Sequence, residues 1–192
     1  GGAYYANPTA FIDLSGANIT ANAVSLTAQV TSSFATVAGT YGSIQAMVGY
    51  AKSTAEVKIH NATVNASSLT VLADSDVSIT AQDNTSSADS DSDVDAGISV
   101  VVVDADALAY VSGTSVLSVT GAVDLQANNT IGVTSKVDGT AGGTGATLAV
   151  GIVVADTRSS IGGAATVDAA SIDLTADSDN TLTVTAISTS GI

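Results

Sequence analysis

Over much of this chain the apolar residues fall on every second position. In residues 171–176, Ile172, Leu174 and Ala176 alternate with Ser171, Asp173 and Thr175. In residues 181–186, Leu182, Val184 and Ala186 alternate with three threonines. Residues 77–81 repeat the scheme with Val77, Ile79 and Ala81. A period of two is the mark of a strand with one buried face. Such stretches come in pairs. Residues 68–73 and 77–81 are two short strand-like stretches separated by Asp74-Ser75-Asp76, and residues 171–176 and 181–186 are two more, separated by Asp177-Ser178-Asp179-Asn180. A second pattern is a continuous apolar run, found in residues 43–51, 96–105 and 146–155. Unbroken Val and Ile runs suit strands covered on both faces, or strands whose outward side chains meet a partner. A buried helix competes for these runs, but β-branched content and flanking glycines favour strand.

The two patterns recur in fixed order. Residues 62–76 return almost intact as residues 165–179, and weaker copies occupy 17–28 and 115–127. The alanines closing these copies, Ala28, Ala73, Ala127 and Ala176, are 45, 54 and 49 residues apart. Self-similarity at such a period marks an array in which each unit buries its apolar side against the next. The expectation is an all-β chain, a parallel β-helix or β-solenoid of about four two-part repeats. They span approximately residues 7–51, 52–105, 106–155 and 156–192 of a single array. A period near 49 reads as two coils of about 20–25 residues, hence about eight coils and a rod about 35–40 Å long at ~4.8 Å per strand. The polar segments 82–95 and 138–145 read as variable loops emerging on one side.

Composition narrows the picture. Apolar residues make up 45% of 192 residues but aromatics only 4%, so the core is thin and built from Ala and Val. Thr and Ser are abundant, and Thr shares with Val the shape that suits a pleated strand. The net charge is −14, and 17 of the 18 acids are Asp. Such a chain repels nucleic acid and anionic lipid, and it attracts divalent cations. Cysteine is absent, which removes disulfides and thiolate metal sites. No apolar run reaches the length of a membrane span. The start, Gly1-Gly2-Ala3-Tyr4-Tyr5, has no signal-peptide pattern, so either a leader has been removed or the chain is an excerpt. Pro8 is the only proline, which suits an array whose central strands need every amide donor.

Residues 97–111, beginning Gly97-Ile98-Ser99-Val100-Val101-Val102, resemble one repeat unit of large filamentous-haemagglutinin-like and leukotoxin-like bacterial surface adhesins. Residues 62–75 resemble the unit that alternates with it, Ala-x-Val-x-Ala-x-x-Leu-x-Val-x-Ala-x-Ser. The similarity extends from about Ala10 to Ala186. It implies a right-handed parallel β-helix and export to the cell surface, with no catalytic residues. Those arrays are far longer than this chain, which therefore reads as an excerpt or as a self-sufficient subunit.

Candidate chemistry is sparse. Asp89, Asp91, Asp93 and Asp95 form the densest acidic cluster, and alternate carboxylates on a loop supply the oxygen ligands calcium takes. The EF-hand pattern fails there, because counting from Asp91 places Ala96 at the glycine position and Val102 at the closing glutamate. A solvated acidic loop is the competing reading. Asp74, Asp76, Asp104 and Asp106 add ligands only if stacking brings them close. Residues 142–150 resemble a calcium nonapeptide, but Thr147 stands where that motif carries Asp. His60 is the only histidine and has no His or Cys partner nearby in sequence. The basic residues Lys52, Lys58, Lys136 and Arg158 are scattered, and nothing pairs them with an acidic metal site, so no enzyme is expected. Asn18, Asn61, Asn65, Asn84 and Asn128 each open an Asn-x-Ser/Thr sequon.

The expected role is therefore a non-enzymatic structural segment of an extracellular fibre or adhesin. Its partners are neighbouring repeats, further copies of itself added end to end or laterally, or a surface receptor. The alternatives are a subunit that polymerises through uncapped ends or strand donation, and a calcium-dependent binding module.

Overall fold

A computed structural model describes residues 2–38, 44–84, 94–139 and 144–188, and all the regular structure among them is β-strand. In chain order the strands are β1 (Gly2–Ala6), β2 (Thr9–Ser15), β3 (Asn18–Thr20), β4 (Ala23–Ala38), β5 (Ile44–His60) and β6 (Thr63–Ala66). They continue with β7 (Ser68–Asn84), β8 (Val94–Ser112), β9 (Val116–Gly139), β10 (Thr144–Ile161) and β11 (Thr166–Ser188). Two sheets result, and every pairing in them is parallel. In the first sheet β1 and β2 lie end to end along β5, followed by β8 and β10. In the second, β3 and β4 lie along β6 and β7, followed by β9 and β11. The chain crosses from the first sheet to the second four times, so the molecule is four layers deep, each with one line of strand in each sheet.

The repeat alanines fall in one column: Ala28 pairs with Ala73, Ala73 with Ala127 and Ala127 with Ala176. One repeat thus makes one layer, and the expectation of two coils per repeat and eight in all is incorrect. Its error lies in the separators. Asp74-Ser75-Asp76 and Asp177–Asn180 do not separate short strands but form the middles of the long strands β7 and β11. Alternation runs through them unbroken, with Asp74 and Asp76 outward and Ser75 inward. The inward hydroxyl meets that of Ser53 on the facing sheet at 2.8 Å, so the polar residue is satisfied and the strand has no reason to stop. The helix reading of the apolar runs is also set aside, because residues 44–51, 96–105 and 146–155 are all strand. The segments expected as loops are strand at their flanks, at residues 82–84, 94–95, 138–139 and 144–145.

The core lies between the sheets. In the inner two layers the inward positions are almost wholly buried: Ala51, Ala55, Val57 and Ile59 of β5, Val101, Val103 and Ala105 of β8, Leu69, Val71 and Ala73 of β7, and Val123, Leu125 and Ala127 of β9. Each Val or Leu so buried contributes about 1.5–3 kcal/mol relative to an exposed one. These small side chains leave room for hydroxyl bridges. Ser99 and Ser135 meet at 2.8 Å, Asn129 Nδ2 donates to the Ala105 carbonyl at 2.7 Å, and Ser159 Oγ donates to the Leu125 carbonyl at 2.8 Å. In the first layer the aromatic rings of Tyr4 and Phe34 stack at 3.8 Å across the two sheets and close that end of the core.

The corner leading from the first sheet to the second repeats a backbone device. Gly16, Asn61, Gly113 and Gly163 occupy matching places and all have positive φ, between 51° and 74°. Asn tolerates this region because its side chain bonds locally. Here the Asn61 carboxamide oxygen accepts from the Thr114 amide at 2.9 Å, tying the second layer to the third. A Cβ at Gly113 would lie 2.2 Å from that oxygen, whereas a Cβ at Gly16 would meet nothing within 4 Å. Gly113→Ala is therefore expected to cost more than the ~1–2 kcal/mol of left-handed strain alone, and Gly16→Ala about that strain. Gly162→Ala, which has neither strain nor clash, should be near neutral. Urea denaturation of the three variants checks the order.

Candidate functional site

Of the aspartates expected to hold calcium, Asp89, Asp91 and Asp93 lie outside the described residues. Asp95 enters β8, where its backbone pairs with Gly145. The four aspartates proposed as helpers are separated by the fold. Asp74 and Asp76 project from the outer face of the second sheet, and Asp104 and Asp106 from the outer face of the first. Among the described residues no group of three or more His, Asp or Glu side chains is arranged to hold a metal.

His60 ends β5 on the outer face of the first sheet. Its Nδ1 lies 3.0 Å from Ser112 Oγ of the next layer and its Nε2 2.8 Å from Asn61 Nδ2 of its own layer, so both ring nitrogens are engaged at the corner. Thr147 and Gly145, within the glycine-rich motif, are part of β10.

The richest polar constellation runs diagonally across three layers of the same outer face. The Tyr110 hydroxyl donates to Glu56, and the Arg158 guanidinium sits 5.6 Å above the Tyr110 ring. Burial, reinforced by the Glu56 hydrogen bond, pushes the Tyr110 phenol up to about 12. It is therefore neutral and a hydrogen-bond donor at any ordinary pH. Beside this group Lys52 pairs with Asp104 at 3.2 Å, which raises the lysine above its ordinary range. Asp106 is raised by burial first, then by Asp104 and Asp156. Asp13 is lowered, mainly by the Ser15 hydroxyl and then by Lys58, which approaches to 3.4 Å. These contacts tie strand to strand, and none presents a nucleophile beside a base.

Sequence reasoning missed Asp83. It sits at an inward position near the end of β7 and is fully buried, and neither carboxylate oxygen has a hydrogen-bond partner among the described residues. Its signal was the alternation itself, since Asp83 follows Ile79 and Ala81 at period two. Desolvation raises its pKa. Its folded value lies above its unfolded one, so the favourable contribution of the neutral form is complete below about pH 3.8 and is lost as pH rises through the folded value. Asp83→Asn is accordingly expected to unfold at a higher temperature than the parent at pH 7, with the difference closing toward pH 3. Thermal melts across that range measure it.

No protein-family model matches the chain, and neither the curated proteins nor the solved structures contain a match.

Proposed function

We propose that this chain is a non-enzymatic structural segment of an extracellular surface fibre or adhesin, in which the layers are turns of a parallel β-solenoid and the fourth layer receives a further layer of the same kind. One observation carries the reading. Ile172, Leu174, Leu182 and Val184 of β11 occupy columns whose members in β9 and β7, such as Val123, Leu125 and Leu69, are fully buried, yet they are 44–51% exposed. They face inward and pack beside β10, but nothing among the described residues lies beyond them. About half of the burial energy available to each side chain, on the order of 1 kcal/mol, is unrealised until another layer covers it. The edges of β10 and β11 likewise pair on one side only among the described residues. An open strand edge is a template for another strand. The export to the cell surface implied by the resemblance to adhesin repeats suits a cysteine-free array that draws its stability from regular stacking.

The same open edge favours a second reading, a subunit that polymerises end to end. The two ends differ, because the first layer is broken at residues 7–8, 16–17 and 21–22, carries Pro8 and is closed by the Tyr4–Phe34 stack. Unlike ends generate an open, head-to-tail polymer rather than a closed dimer.

Appending a second copy of residues 94–188 tests the stacking reading. A single cooperative transition at a higher midpoint is expected, since neighbouring layers stabilise one another. Two transitions, one at the original midpoint, would contradict it. Negative-stain microscopy of the parent chain separates the two readings: particles one chain long support the segment, and filaments that lengthen with concentration support the subunit.

A further inference from the structure

The two outer faces of this molecule differ in chemistry. On the second sheet the outward residues are mostly Thr, Ser, Asn and Asp. There Asp74, Asp76, Asp124, Asp173, Asp177 and Asp179 are opposed by Lys136 alone among the described side chains. That face is solvated and repels a like face. The first sheet carries the other three basic residues, Lys52, Lys58 and Arg158, set among Asp13, Glu56, Asp104, Asp106 and Asp156, so its charges nearly balance. Toward the start of its long strands the described outward side chains carry no charge. Three adjacent columns there are apolar, centred on Val48, Tyr50, Val100, Val102, Val150 and Ile152. Tyr5, Val48, Leu148 and Ile152 in these columns are 46–69% exposed. Alternate residues stand about 7 Å apart along a strand and strands ~4.8 Å apart, so the patch covers roughly 400 Å². A contiguous apolar patch of that order marks an interaction surface.

We infer that this face is a self-association surface and that its occupant is the first sheet of a second copy, packed face to face with the layers in opposite order. The registered columns select this arrangement. A twofold axis parallel to the strands and midway between β5 and β8 exchanges those two strands, and exchanges β1 and β2 with β10. Each column then meets itself. Val48 faces Val100 of the second copy, Tyr50 faces Val102, and Tyr5 faces Ile152, so apolar meets apolar throughout. Lys52 faces Asp104, an attractive pair, and Phe11 faces Arg158, which suits a cation–π contact. No like-charged pair is created at these positions. Aligned packing of two twisted sheets at about −30° is the ordinary geometry for such faces. The full face measures about 60 Å by about 19 Å, on the order of 1,100 Å², against about 800 Å² per partner in a standard interface. The apolar columns form its core and the mixed charges its polar surround. This pairing is lateral and goes beyond the end-on stacking proposed above, and it holds whether or not the ends stack.

Sedimentation equilibrium of the chain is expected to show a concentration-dependent species of twice 18.6 kDa. Val100→Lys with Val102→Lys, both outward, should weaken self-association at least tenfold while leaving the circular dichroism spectrum unchanged. Thr130→Lys with Thr181→Lys, on the opposite face, should not weaken it. Leu182→Lys, at the open fourth layer, should abolish any end-on filament and leave the dimer intact, so failure of one idea is distinguishable from failure of the other. The chain has no cysteine, so single thiols can report the arrangement. In a mixture of Val48→Cys and Val100→Cys chains, a short bismaleimide should join unlike chains in preference to like ones. A monomer at all concentrations, a dimer indifferent to the lysine pair at 100 and 102, or preferential joining of like chains would each overturn the inference.

Discussion

The structure depends on keeping period-two alternation in register from one layer to the next. Parallel strands place like positions side by side, so each inward residue joins a column of inward residues and each outward one a column of outward residues. A slip of one residue would turn Val71, Ala73, Val77 and Ile79 to solvent together. Register is pinned by the apolar columns, by the left-handed corner residues at 16, 61, 113 and 163, and by the Asn61 carboxamide that reaches the next layer. Where β6 and β7 break at Ser67 opposite the continuous β9, the register shifts by one residue, from Ala66 beside Val119 to Leu69 beside Val123, and the buried columns resume beyond the shift.

Small side chains make the core thin, and a thin core changes what polar residues can do inside it. Ser53 and Ser75, or Ser99 and Ser135, reach one another from facing sheets, so a buried hydroxyl finds a partner without a kink or a water. Asp83 shows the cost where such a partner is lacking, since desolvation in the core shifts its carboxyl toward the neutral form. The exterior is as regular as the interior. Unbalanced negative charge collects on the second sheet, and apolar and basic residues collect on the first, so the two outer faces differ in chemistry.

Much of the fold was legible in the residues. The alternation at 171–176 and 181–186 named strands, and the four alanines named a column whose members pair in the structure. The layer count was not legible. Asp74-Ser75-Asp76 has turn composition, and only the presence of Ser53 opposite Ser75 explains why it stays extended. The candidate chemistry fared differently. Asp74 and Asp104 look like neighbours in an acidic chain, yet the sheet crossing between them sends them to opposite faces. The diagonal of Glu56, Tyr110 and Arg158 joins residues about fifty positions apart, a relation no local spacing displays.

The sequence by itself determined that this is a repeating, all-β, Ala- and Val-cored array, because periodicity and composition are properties of the chain read locally. The tertiary structure alone decided how many residues make a layer and which side chains share a face. Those outcomes depend on what stands across the core from each residue, and facing partners such as Ser53 and Ser75 are brought together only when distant strands are set side by side.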